Sequence, residues 1–297
     1  MTARNHDTGN HDTGVRRAFM ADRHGILARH PAIFAADWDM RATAAAVVLG
    51  AVMLYGFGLA TLDITPGLLA GGLWRLVDIA GMMLPPEVGS WDRFLLYLSV
   101  LGQTLSIAFL GTLLAAVLAF PFGFLAAKNI VPNWLVHVLA RRTLDSIRSI
   151  DTLIWALIWI NVVGLGPFAG ALAIMSSDFG AFGKLMSEAI ETADRRASEG
   201  VAAAGGMRMH MVRFGVLPQV LPVIASQVLY YFESNVRSAT IIGIVGAGGI
   251  GLHLSEQIRV LEWRQASFLI LMVLVTVAAI DLVSQRLRAG IIGTRAR

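Results

Sequence analysis

Residues 241–254 read IIGIVGAGGIGLHL, and the fold turns on what this stretch is. Gly246, Gly248 and Gly251 stand at the G-x-G-x-x-G spacing of a dinucleotide-binding turn, after a β-branched apolar run and before a segment, 252–260, that suits a helix. The fingerprint has chemical meaning only within a soluble strand-turn-helix-strand unit, where an acidic residue closing the next strand holds the ribose. Neither that strand nor that acid follows here. In a membrane chain the same glycines, with Gly249, permit close helix packing or a re-entrant turn instead. The apolar run 238–254 is also short for a complete passage.

Composition points to the membrane. Of the 297 residues, 56% are hydrophobic and 15% charged, whereas about a quarter of a soluble domain is charged. The apolar residues gather into long uncharged runs, the mark of an all-α, polytopic integral membrane protein. The chain has no cysteine, which excludes disulfides, thiolate nucleophiles and Cys-ligated metals. Its net charge of +4 follows topology and is not a nucleic-acid signal. The polar first 41 residues contain a duplication, NHDTG at 5–9 and again at 10–14. Its His and Asp are metal-ligand types, but a flexible, Gly-containing tail is enough to account for them and is the reading preferred. No secretory signal is expected, because the first apolar run starts only after Arg41 and ends without a small-residue cleavage pattern.

About six transmembrane passages can be drawn. They are 42–62, one within the charge-free run 94–127, two within 152–186 turning at Gly164, Gly166 and Pro167, one at 214–235 and one at 265–283. The pair within 152–186 fits only if the third passage begins inside RRTLDSIRSID, 141–151, where Arg141 with Asp145 and Arg148 with Asp151 have helical spacing for ion pairs. Of the 24 Lys and Arg, all but Arg75, Arg93, Arg237, Arg259 and Arg264 fall on one side of this drawing. The positive-inside rule then places both termini in the cytoplasm, consistent with an even number of passages.

The largest loop on that side, 188–213, reads EAIETADRRASEGVAAAGGMRMHMVR and is followed by FGVLPQVLP. Glu199, Gly205 and Leu217-Pro218 give the pattern E-x5-G-x11-L-P. A short helix over 198–204, a left-handed turn at Gly205-Gly206 and a second helix over 207–214 follow from propensity. Met207, Met209 and Met211 suit a docking surface, because methionine adapts to a partner's groove. Pro218 is expected to kink the start of the next passage.

This loop resembles the coupling segment, the EAA loop, of permease subunits in bacterial ABC importers, with Glu199, Gly205, Gly206, Arg208, Leu217 and Pro218 at the matching positions. Gly200 stands where that family usually has alanine. RRTLDSIRSIDTLIWALIW at 141–159, GPFAGALA at 166–173, GKLMSEAIE at 183–191, RFGVLPQVLP at 213–222 and YFESNVRSATIIGIVGAGGIG at 231–251 together are similar to phosphonate ABC transporter permeases. Asp151 replaces a proline common in those relatives. The resemblance implies a type I, MetI-like permease fold. It implies a cytoplasmic segment 1–41, a first helix 42–63, an extracytoplasmic loop 64–93, a permease core 94–288 with its coupling loop at 188–213, and a cytoplasmic tail 289–297. It also implies partners: two ATP-binding cassette subunits that bind ATP and Mg, a second permease chain, an extracytoplasmic solute-binding protein and membrane lipid. This chain is expected to bind no cofactor and no metal, and its only Gly-Lys pair, Gly183-Lys184, has Asp178 where a phosphate loop needs its first glycine.

The solute implied is a phosphonate or related phosphorus oxyanion. Glu233 and Arg237 lie four apart on one helical face, and each alone is costly inside a membrane. They read either as a mutual ion pair or as the outer mouth of a pathway, where Arg237, Ser238 and Thr240 offset oxyanion charge. Gln103, with Thr104, is a further pathway candidate, although in-membrane Gln and Thr more often bond a neighbouring helix. The alternatives are an ion-coupled secondary carrier and an ABC permease for another small solute such as an amino acid. An intramembrane enzyme finds no support, since His137, His210 and His253 form no catalytic or zinc spacing.

Overall fold

The computed structural model describes residues 38–62 and 65–293. The NHDTG duplication, most of the polar N-terminal segment and the end of the C-terminal tail lie outside the described residues. The chain divides into two units, Met1–Arg75 and Leu76–Arg297. In the first, helix α1 (Trp38–Thr61) is apolar on every side, and none of its 18-residue apolar window is buried. Such a helix is stable only with hydrocarbon around it. Helix α2 (Pro66–Met82) then occupies much of the stretch expected as a loop. Proline at its first position supplies a fixed φ where an N–H has no partner in any case.

The second unit is built from α3 (Trp91–Leu125), α4 (Trp134–Arg148), α5 (Thr152–Val163), α6 (Pro167–Glu191), α7 (Arg195–Ala203), α8 (Arg208–Ile244), α9 (Ile250–Arg259) and α10 (Trp263–Gly293). Its core lies along α6, where Ile174, Phe182, Met186 and Ile190 are buried. Small residues on α3 let the two backbones approach. Ala108, Ala115 and Ala119 are fully covered, and a Cβ added at Gly111 would lie 2.7 Å from Ile174 Cβ.

Four helical stretches are long and apolar enough to span a membrane: Met40–Thr61, Trp91–Leu125, Arg208–Ile244 and Trp263–Gly290. The pair α4 and α5 is apolar enough only when taken together, as a broken span or a re-entrant turn, and counted as one span it would be a fifth. Helix α6, expected as a passage, is 25 residues long yet is too polar to qualify alone. It carries Asp178, which is buried, and Lys184, which is half-buried, because its neighbours, not lipid, surround it there, while Glu188 is exposed near its end. The segment 141–151 also differs from expectation. Instead of leading straight into the third passage, the chain turns by 86° between α4 and α5. Asp151 does not pair with Arg148; it caps α5, accepting from Leu153 N at 2.8 Å. Arg141 reaches Glu191 at 3.0 Å rather than Asp145, which binds Lys184 at 3.1 Å and Arg148 at 3.3 Å. A side-chain acceptor thus ends the turn at Asp151.

Candidate functional site

The loop read as a coupling segment folds as a helical hairpin. Helix α7 starts with Asp194 accepting from Arg196 N at 3.0 Å, three residues earlier than the expected 198. At its end Gly205 has φ +82°, a conformation other residues enter only at a cost. Gly205 N donates to Ala202 O and Gly206 N to Val201 O, each at 2.9 Å, the two bonds that satisfy a helix's last carbonyls. Gly206 has no room for a side chain, since a Cβ there would meet Val201 Cγ1 at 2.6 Å.

The second arm does not stop at 214. It continues through a π-helical turn, Met211–Val216, in which Leu217 N reaches back to Val212 O. The widened turn sits immediately before Pro218, whose missing N–H and bulky ring disturb an ordinary α-turn. Glu199, Gly205, Arg208, Met207 and Met209 are exposed, while Met211 and Leu217 are half-buried and Met211 turns inward. Met211, Glu199, Arg208, Phe120 and Phe124 border a cavity of about 1010 Å³ between the hairpin and the end of α3.

Gln219 was not anticipated. Its Oε1 accepts from Asp194 N at 2.9 Å, while its Nε2 donates to Asp194 O at 3.1 Å and to Gly215 O at 2.7 Å. One side chain therefore fastens the start of α7 to α8. The sequence signal was faint: a glutamine one residue past Leu217-Pro218.

Helix α8 carries the second group of candidates. It extends nine residues beyond the expected end at Asn235, so Glu233 and Arg237 lie within the helix and not at its mouth. Glu233 is buried between two guanidiniums, Arg288 Nη2 at 3.1 Å and Arg237 Nη1 at 3.8 Å. Arg288 comes from α10, placed by the sequence beyond the last passage. Arg237 has 53% of its side chain exposed; Ser238 and Thr240 are half-buried, and Thr240 Oγ1 donates to Val236 O at 3.1 Å. Near Glu233, Asn235 Nδ2 donates to Thr112 Oγ1 at 2.8 Å and to Asp178 Oδ2, joining α3, α6 and α8. An acid within the apolar run after Pro167 was the available clue to this buried group.

The glycine stretch links two helices. Gly246, Gly248 and Gly249 have φ of +102°, +81° and +76°, and Gly249 N and Ile250 N donate to Gln103 Oε1 at 2.9 Å and Thr104 Oγ1 at 2.8 Å. Gln103 and Thr104 thereby satisfy the free amides that open α9. Gly251 faces Thr240 O so closely that no Cβ fits. The turn also meets the α5–α6 hairpin, with Gly166 N donating to Gly246 O at 3.0 Å.

Residues 119–292, which hold the hairpin, α8 and the glycine turn, match the model of the binding-protein-dependent transport system inner membrane component family. The chain belongs to this family. It is 39% identical over 227 residues to a putative phosphite transport system permease protein, HtxC, of Stutzerimonas stutzeri, covering 76% of this chain and 79% of that one. A putative cryptic phosphonate transport system permease protein of Escherichia coli strain K12, PhnE2, is 47% identical over 117 residues, covering 39% of this chain and 96% of that one. In fold the permease is similar to the MetNI methionine ABC transporter in an inward-facing conformation, with a TM-score of 0.61 at 19% identity over 68% of this chain and 99% of that one. As an inner-membrane transport component the permease is a multi-pass, all-helical protein of MetI-like fold, and the strand that a dinucleotide fingerprint needs has no place in its glycine turn.

Proposed function

We propose that this permease moves a phosphonate, phosphite or related phosphorus oxyanion inward, driven by ATP hydrolysis on two separate subunits that hold the ATP and Mg. The observation that carries the reading is the continuity of α8 from Arg208 to Ile244. Its first turn belongs to the hairpin and Arg237 lies roughly 40 Å along it at 1.5 Å per residue. Work delivered where Glu199, Gly205, Gly206, Arg208, Leu217 and Pro218 meet the motor reaches Arg237 along one continuous helix. The relatives named for phosphite and phosphonate transport support the solute class.

Arg237, Ser238 and Thr240 border the pathway, Glu233 keeps Arg237 from trapping the anion, and Gln103 serves by fixing the Gly249 turn. Weak contacts suffice, because selection rests with an extracytoplasmic binding protein. A second permease, identical or related, completes the conduit, and both termini face the cytoplasm. Membership of a binding-protein-dependent family speaks against an ion-coupled carrier. The test is uptake of labelled phosphite and phosphonate by proteoliposomes containing the full complex. Gly205→Val should keep assembly and ATP binding while abolishing most uptake, and normal uptake by that variant would overturn the coupling assignment.

A further inference from the structure

At the end of α3 remote from the hairpin, α3, α9 and α10 enclose a second cavity of about 370 Å³. Its polar lining is Arg93, Tyr97, His253, Gln257, Glu262 and Gln265, none of which takes part in the hairpin or the α8 cluster. Several of these groups are held in place. Tyr97 is 2% exposed and its hydroxyl donates to Gln265 Oε1 at 3.2 Å. His253 Nδ1 lies 3.2 Å from Glu256 Oε2. The nearby Arg264 is engaged by Glu87 at 3.5 Å. Arg93 and Glu262, by contrast, are exposed and form no ion pair among the described residues.

A guanidinium and a carboxylate without ion-pair partners among the described residues line the same cavity, and together they suit a ligand that carries both charges. A simple oxyanion bound to Arg93 is repelled by Glu262, and a simple cation bound to Glu262 is repelled by Arg93. A molecule with both charges satisfies both groups, and the amides of Gln257 and Gln265 supply further bonds. Depth is marked by Trp91, 71% exposed in the first turn of α3, and by Trp263, in the first turn of α10. Tryptophan concentrates at the membrane–water interface, the level of lipid headgroups.

We propose that this cavity binds a phosphorus oxyanion bearing its own ammonium group, with Arg93 holding the oxyanion and Glu262 the ammonium. That chemistry is shared by the headgroup of an ethanolamine phospholipid and by a free aminoalkyl phosphate or phosphonate. The site needs only the membrane placement of this fold and does not depend on which solute is transported.

The purified complex in nanodiscs of phosphatidylglycerol, which offers phosphate without ammonium, separates the sources. Phosphatidylethanolamine is added to the bilayer in one arm and phosphorylethanolamine to the solution in the other, and bound ligand is counted by native mass spectrometry. Retention in the first arm alone identifies the lipid headgroup, and binding in the second identifies a soluble ligand. In either case Arg93→Gln and Glu262→Gln should each weaken binding about tenfold. Both side chains are exposed, so the variants should assemble normally. Binding that survives both substitutions, or no preference over phosphatidylglycerol in either arm, overturns the assignment.

Discussion

Glycine 251 fixes how closely α8 and α9 cross, because Thr240 O occupies the place of its missing Cβ. Gly251→Ala must push the helices apart, an overpacking cost of about 1–3 kcal/mol, and should lower the melting temperature of the purified complex. An unchanged melting temperature would contradict the packing described. The two arginines at Glu233 separate stability from transport. Arg288→Ala leaves a buried carboxylate with only the distant Arg237, and removing one partner of a buried pair costs about 3–5 kcal/mol, so expression and thermal stability should fall together. Arg237 is half-exposed and 3.8 Å from Glu233, a contact worth about 0–1 kcal/mol. Arg237→Ala should therefore melt like the wild type while uptake drops about tenfold. Equal effects of the two substitutions on melting would refute this division of roles.

The hairpin and α8 act as one element only while Gln219 holds them. Gln219→Ala removes all three of its bonds to Asp194 and Gly215, so ATP hydrolysis should persist while solute moved per ATP falls at least several-fold; the ratio of uptake to phosphate release measures it. Elements that face lipid or cytosol were legible in the sequence. Passages 42–62 and 265–283 announced themselves by long apolar runs, and Gly205 by its place after a short helical stretch. Elements enclosed by protein were not. Helix α6 looks too polar for a passage because α3, α4, α5 and α8 shield it, and a composition count cannot see neighbours. The break before α5 was hidden because Asp151 ends the turn by capping where a proline would have shown it. The continuation of α8 past Asn235 was obscured by Glu233 and Arg237, charges that suggest a surface until Arg288 arrives from α10.

Over the whole molecule, three of the five charges that remained unplaced by the positive-inside count sort into distinct places. Arg237 lies beside a buried carboxylate, Arg264 is paired with Glu87, and Arg93 stands at the outer cavity. Only the contact of Arg237 with Glu233, four residues apart, was readable from spacing; the other two placements depend on residues far away in the chain. The central claim is that this permease transports only when a separate motor works on its hairpin. Its most direct test is uptake of labelled phosphite or phosphonate into proteoliposomes containing the permease either by itself or with its ATPase subunits, second permease and binding protein. Uptake is expected only in the complete assembly with ATP present, and none by the isolated permease under a proton or sodium gradient. Gradient-driven uptake by the isolated permease would contradict that claim.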